Sequence, residues 1–146
     1  MTSLHSRQPA IVLVDDDFYS ARLLMRMLEA HGGPFMARMS DPESAMESLM
    51  GMAAASPFGG PCLVIVDLKF SSTATRDFVA RLKDEVPNMV VVAMAPSLDR
   101  TLRNELLDAG AAAVFERHAE LNLYRTEAAN IVSFWARCQH LDAVGT

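Results

Sequence analysis

Cys62-Leu63-Val64-Ile65-Val66-Asp67 decides how this chain reads. Four apolar residues, three of them β-branched, run into a carboxylate, and a polar loop with Ser71, Ser72 and Thr73 follows. So short and continuous an apolar run predicts a strand buried on both faces, as in a parallel sheet. A charge at the C-terminal end of such a strand stands where open α/β sheets put their chemistry. The pattern occurs again about fifty residues upstream, where Ala10-Ile-Val-Leu-Val14 runs into Asp15, Asp16 and Asp17. With the two strands side by side, three or four carboxylates converge on one edge of the sheet.

The rest of the 146 residues alternates in the same manner. Phe18 to His31 has helical spacing, with Ala21, Leu24 and Leu28 on one face, Met25 and Met27 beside it, and Gly32-Gly33 as the stop. Phe35 to Met39 is a weak second strand, and Asp41-Pro42 opens a helix carrying Ala45, Leu49 and Met52. Ala53 to Pro61 reads as loop. After the third strand, Leu63 to Val66, a helix from about Ala74 to Glu85 buries Phe78, Val79, Leu82 and Val86, and Pro87 ends it. Met89 to Met94 is a fourth strand. Ser97 then caps a helix with Leu98, Leu102 and Leu106 on one face, ended by Gly110. Ala112 to Phe115 is the fifth strand, and a helix from about Glu120 to Leu141 carries Tyr124, Ala128, Ile131, Trp135 and Cys138. Five strands alternating with five helices imply right-handed crossovers and a parallel sheet covered on both faces.

Composition narrows the function classes. A formal charge of −5, with no Lys/Arg run, argues against nucleic acid as a partner. No stretch approaches the roughly 18 apolar residues of a membrane span, and no secretory leader precedes Pro9, so the expected location is cytoplasmic. Cys62 and Cys138 lack metal-ligand spacing and read as buried thiols. His5, His31, His118 and His140 are scattered near helix or chain ends and read as exposed or capping. The ten methionines are core filler, with Met25, Met27, Met46 and Met50 expected to be partly exposed. Phe134 and Trp135 are adjacent and cannot both face the sheet; one of them meets a partner or packs on a neighbouring helix.

Clustered carboxylates repel one another and call for a cation, and a hard divalent ion such as Mg²⁺ suits oxygen ligands. A carboxylate near such an ion can attack phosphorus and form an acyl phosphate, the ion offsetting charge on the phosphoryl oxygens. Asp17 reads equally well as the cap of the first helix.

"VDDD" and "VIVDL", on strands one and three of a fivefold βα alternation, resemble the receiver domain of bacterial two-component response regulators from about Pro9 to Leu141. The resemblance implies a flavodoxin-like, doubly wound five-stranded parallel sheet of order 2-1-3-4-5 with five helices. It implies Asp67 as phosphoacceptor and Mg²⁺ held by Asp16, Asp67, the backbone carbonyl of Lys69 and, through water, Asp15. A lysine side chain at 69 would alter the pocket's electrostatics. Other positions depart from the family. Ala95 stands where a Thr or Ser hydroxyl binds a phosphoryl oxygen, and Pro96 stiffens the loop after it. Arg117 stands where the family normally has a lysine and would stabilise phosphate with a bulkier fork. His118 replaces the proline that follows, removing the usual reason for a cis peptide. Val114 occupies the place of the switch aromatic, and Phe115 faces the other way. Ser97, or Ser71 with Ser72, is a candidate replacement hydroxyl.

The expectation is a stand-alone receiver: a polar lead to residue 9, the domain over 10–141, a tail over 142–146 and no output domain. It is not an enzyme. It accepts phosphate on Asp67 in a phosphorelay and acts by binding partners: a histidine kinase or phosphotransfer protein upstream and an unknown protein target downstream. A homodimer through the face of the fourth helix, fifth strand and fifth helix is a further expectation. The alternative is a phosphorylation-independent pseudo-receiver, an interaction module. Asp15-x-Asp17 also resembles the haloacid-dehalogenase phosphatase motif, but Lys69 and Lys83 are the only lysines and no second Asp-rich strand end follows Asp67.

Overall fold

In the computed structural model, residues 8–55 and 60–144 are described, with side chains as far as residue 139. The alternating runs become β1 (Ile11–Asp15), α1 (Phe18–Ala30), β2 (Met36–Met39), α2 (Pro42–Ala55) and β3 (Leu63–Asp67). They continue as α3 (Ala74–Glu85), β4 (Val91–Ala95), α4 (Arg100–Ala109), β5 (Ala113–Glu116) and α5 (Leu121–Val144). All strands pair in parallel in the order β2-β1-β3-β4-β5. That is the flavodoxin-like sheet expected from the sequence.

The continuous apolar runs are buried at every residue of β1, β3 and β4, while the edge strands β2 and β5 stay mostly half-buried. Alternate residues feed opposite layers, as strand geometry requires. Val12, Val14, Val64, Val66, Val91 and Ala93 pack against α2, α3 and α4. Ile11, Leu13, Leu63, Ile65, Val92 and Met94 pack against α1 and α5. Asp15 and Asp67 continue the second series, and they are direct partners in the β1–β3 ladder. Register and parity together therefore bring the two carboxylates onto one face.

Several boundaries differ from the sequence reading. β1, β3, β4 and β5 each extend one residue further toward their C-terminal ends, so Asp15, Asp67, Ala95 and Glu116 lie within the ladder rather than beyond it. The helix α2 continues through Ala53-Ala54-Ala55, a run of the strongest helix former, where loop was expected; residues 56–59 of that loop lie outside the described residues. Asp99, not Ser97, caps α4: its carboxylate accepts Leu102 N at 2.8 Å. Leu98 consequently precedes the helix and is 41% exposed instead of sharing a face with Leu102 and Leu106. The last helix runs to Val144, so residues 142–144 belong to it and only 145–146 of the expected tail fall outside the description, as does the lead over residues 1–7.

Met27 and Met46 are buried, against expectation, because each lies on the sheet-facing side of its helix. Both cysteines are half-buried, and Cys62 Sγ lies 3.4 Å from Gln139 Nε2. Phe134 packs edge-on against Phe115 within the chain, at 6.2 Å between ring centres, and both Phe134 and Trp135 lie partly buried against the α1/α5 layer. Gly110 ends α4 with φ +123°, and a Cβ there would fall 2.5 Å from Lys83 Cγ. Lys83 in turn donates to Pro87 O and Met89 O, both at 2.8 Å, fixing the approach to β4. No described helix is long and apolar enough to cross a membrane.

Candidate functional site

The site lies at the C-terminal ends of β1, β3 and β5. Asp15 and Asp67 end neighbouring strands with no accessible surface. Strands in a sheet lie about 4.8 Å apart, so two buried carboxylates in register need cations between or beside them. Lys69 and Arg117 supply them. Lys69, two residues past Asp67, turns back so that Nζ lies 2.6 Å from Asp15 Oδ1 and 3.2 Å from Asp67 Oδ2, and it donates to Asp67 O at 3.1 Å. The Asp67 Oδ2 contact is an ion pair outside hydrogen-bonding angles, so that oxygen, like Asp15 Oδ2, lacks a hydrogen-bond donor. From β5, Arg117 Nη1 reaches Asp67 Oδ1 at 2.7 Å, its backbone anchored by Arg117 N donating to Ala95 O at 2.8 Å.

Asp16 and Asp17 do different work. Asp16 accepts Lys69 N at 3.0 and 3.1 Å and Phe70 N at 3.0 Å, clamping the loop after β3. Asp17 caps α1, accepting Tyr19 N at 3.0 Å and Ser20 N at 3.2 Å, and the Ser20 amide is the main reason its carboxyl lies below the ordinary value. Asp15 Oδ1 also accepts Asp17 N at 2.9 Å, and Arg38 Nε donates to Asp15 O at 3.0 Å.

Ala95 ends β4 with 1% exposure and a methyl group where a hydroxyl was expected. Val114 packs toward α3 and α4 while Phe115 faces α1 and α5, confirming their opposite orientation. His118 sits 3.4 Å from Glu116 and 4.0 Å from Glu127, and no described peptide is cis. His31 Nδ1 lies 2.9 Å from Met27 O at the end of α1; His5 and the His140 side chain are outside the description. Beside the acid pair opens a cleft of about 650 Å³ lined by Lys69, Ser71, Ser72, Arg76, Ala95 and Arg117. Ser71 and Ser72 therefore sit by the site, whereas Ser97 is exposed and does not line the cleft.

Two residues escaped the sequence reading. Thr75 is buried and both accepts from Leu68 N at 2.9 Å and donates to Leu68 O at 3.2 Å, locking the strand exit. The signal was a polar residue at the start of a helix whose other inward positions are apolar. Tyr124, assigned only to the core, has a buried hydroxyl without a hydrogen-bond partner. Burial first, and then the negative charge of Asp67, hold its phenol well above the ordinary tyrosine value.

Burial is also the leading influence on Asp67, raising its carboxyl above 3.8; Lys69 and then Arg117 oppose this, and Asp15 adds to it. A carboxyl with a raised folded pKa binds its proton more tightly in the fold than in the unfolded chain. Stability therefore declines as pH climbs from the ordinary carboxylate value through the raised one, and the deficit persists above it. Asp67→Asn is expected to melt a few degrees above the parent at pH 7, with the gap narrowing toward pH 4. Thermal melts across that range check it; a gap independent of pH, or a variant melting lower at pH 7, contradicts it.

No family model matches the sequence, and no curated protein does. Solved structures do. The phosphorylated cyanobacterial phytochrome response regulator RcpA superposes with a TM-score of 0.70 at 21% identity, covering 90% of this chain and 95% of that one. The receiver domain from Rhodospirillum rubrum gives 0.70 at 22%, covering 86% and 92%. The Mn²⁺-bound form of the response regulator Rcp1 gives 0.68 at 19%, covering 87% and 94%. Over nearly its whole length, the chain has the fold of the response-regulator receiver domains.

Proposed function

We propose that this protein is a receiver-type signalling module of a phosphorelay that accepts a phosphoryl group on Asp67 and acts by binding a partner. The observation that carries the reading is the Asp67 carboxylate at the end of the central strand, held between Lys69 and Arg117. In the reaction, an Asp67 oxygen attacks phosphorus and forms the acyl phosphate. The bond from phosphorus to the donor breaks, and its electron pair leaves with the donor group. Lys69 and Arg117 pass from the carboxylate to the phosphoryl oxygens, and Ser71 and Ser72 in the adjoining cleft are within the same wall as both cations. The donor is a phosphohistidine on a histidine kinase or phosphotransfer protein, and the target downstream is another protein. The Mg²⁺ implied by the resemblance, held by Asp16, Asp67, the Lys69 carbonyl and Asp15 through water, would compete with Lys69 Nζ for the same carboxylates.

Incubation with acetyl phosphate followed by intact-mass measurement tests the reading. One phosphoryl group should appear on the parent and none on Asp67→Asn. No gain on the parent, or a gain that survives the substitution, overturns it. Ala95 favours a second reading, the phosphorylation-independent pseudo-receiver, since a buried methyl cannot draw its loop toward a phosphoryl oxygen. Beryllofluoride titration followed by NMR separates the two: amide shifts spreading from Asp67 into β4 and α4 support the first, and shifts absent or confined to the pocket support the second.

A further inference from the structure

We infer that Lys69 is a built-in counter-ion standing where a divalent cation would sit, so that the acidic pocket works without one. The inference rests on taking the pocket around Asp67 as the functional site. Lys69 Nζ contacts Asp15 Oδ1 at 2.6 Å, Asp67 Oδ2 at 3.2 Å and Asp67 O at 3.1 Å. Those are oxygens of two strands facing a single point, and the two carboxylates among them, Asp15 and Asp67, belong to the ligand set expected for the ion. A small divalent ion with ligands at about 2.1 Å and an ammonium cannot share that point: they would overlap and carry like charge.

The same residue is held at its other end. Asp16, the carboxylate expected to bind the ion directly, receives the backbone amides of Lys69 and Phe70 through both oxygens. Asp16 thereby fixes the loop from which the Lys69 side chain turns back, and the ammonium reaches Asp15 already positioned. Asp15 and Asp67 have no accessible surface, so an ion enters only by displacing Lys69. Among the described residues, no three His, Cys, Asp or Glu side chains form a group able to hold a metal. Lys69 and Arg117 together offset two of the three carboxylate charges of Asp15, Asp16 and Asp67 with no ion bound. Loss of the ammonium would release Asp15 Oδ1 and Asp67 Oδ2 for an incoming ion, beside Asp15 Oδ2, which is buried and has no hydrogen-bond donor.

Mn²⁺ is the probe. Titrating the parent and Lys69→Ala while following the EPR signal of free Mn²⁺ should show at least tenfold tighter binding by the variant. The parent's melting temperature should be the same in EDTA as in Mn²⁺, and the variant's should rise with Mn²⁺. Equal binding by the two proteins, or a parent melt that rises with Mn²⁺, overturns the inference. The parent melt decides alone should the variant not fold. Acetyl phosphate labelling distinguishes this from a failure of the proposed function. Labelling that is equal in EDTA and Mg²⁺ supports the inference, and labelling that requires Mg²⁺ overturns it. With no labelling in either, the phosphoacceptor reading fails while the Mn²⁺ result still decides the place of Lys69.

Discussion

Lys69→Met unfolds at a clearly lower urea concentration than the parent in metal-free buffer, with a loss of about 3 kcal/mol. Methionine keeps an unbranched apolar stem as far as Cε and lacks only the ammonium group, so the change chiefly removes the charge. Removing one partner of a buried ion pair generally costs about 3–5 kcal/mol, because the remaining charge stays desolvated. The lower end applies here, since the Lys69 side chain keeps 22% of its surface in solvent. The loss comes from Asp15 and Asp67, left with Arg117 as their one close side-chain cation among the described contacts. Asp15→Asn added to Lys69→Met should therefore recover most of it, because an amide in that position needs no counter-charge. A Lys69→Met protein as stable as the parent, or a double variant no better than the single, contradicts this account of the pocket.

Ile65→Ala loses about 4 kcal/mol, the upper half of the range for large-to-small changes in a core. Ile65 has no accessible surface, sits in the middle of the central strand and pairs in register with Leu13 and Val92. Its neighbours on both sides are held by ladder hydrogen bonds, so the cavity cannot close by a shift of backbone. Leu98→Ala is the informative contrast. The sequence pattern assigned Leu98 to the core beside Leu102 and Leu106, yet it is 41% exposed before the start of α4. Its truncation should alter stability by no more than about 0.5 kcal/mol. Urea unfolding of both variants measures the difference, and comparable losses would place Leu98 in the core after all.

The two leucine and isoleucine cases show what pattern could and could not reveal. An apolar run without polar interruption has few stable places other than the middle of a covered parallel sheet, so β1, β3 and β4 were legible as runs. Helix starts were less so, because Ser97 and Asp99 are both good caps and only the path of the loop after Pro96 selects between them. The strand ends slipped by one residue for a related reason: pairing continues until a neighbouring strand ends, and a single strand's sequence does not contain its neighbour's length.

Within the site, sequence alone determined that carboxylates gather at the ends of β1 and β3 and that a methyl, a guanidinium and an imidazole occupy positions 95, 117 and 118. Residue type and strand order suffice for that. Tertiary structure decided which carboxylate does what. Asp16 clamps backbone amides, Asp17 caps a helix, and Asp15 and Asp67 stand in register on one face. It also decided what the Lys69 side chain does, for which the sequence suggested an electrostatic influence but no partner. A lysine stem can turn toward solvent or back over its own strand. Here two desolvated carboxylates on adjacent strands outweigh the entropy of ordering it, and that balance exists only once the strands are side by side.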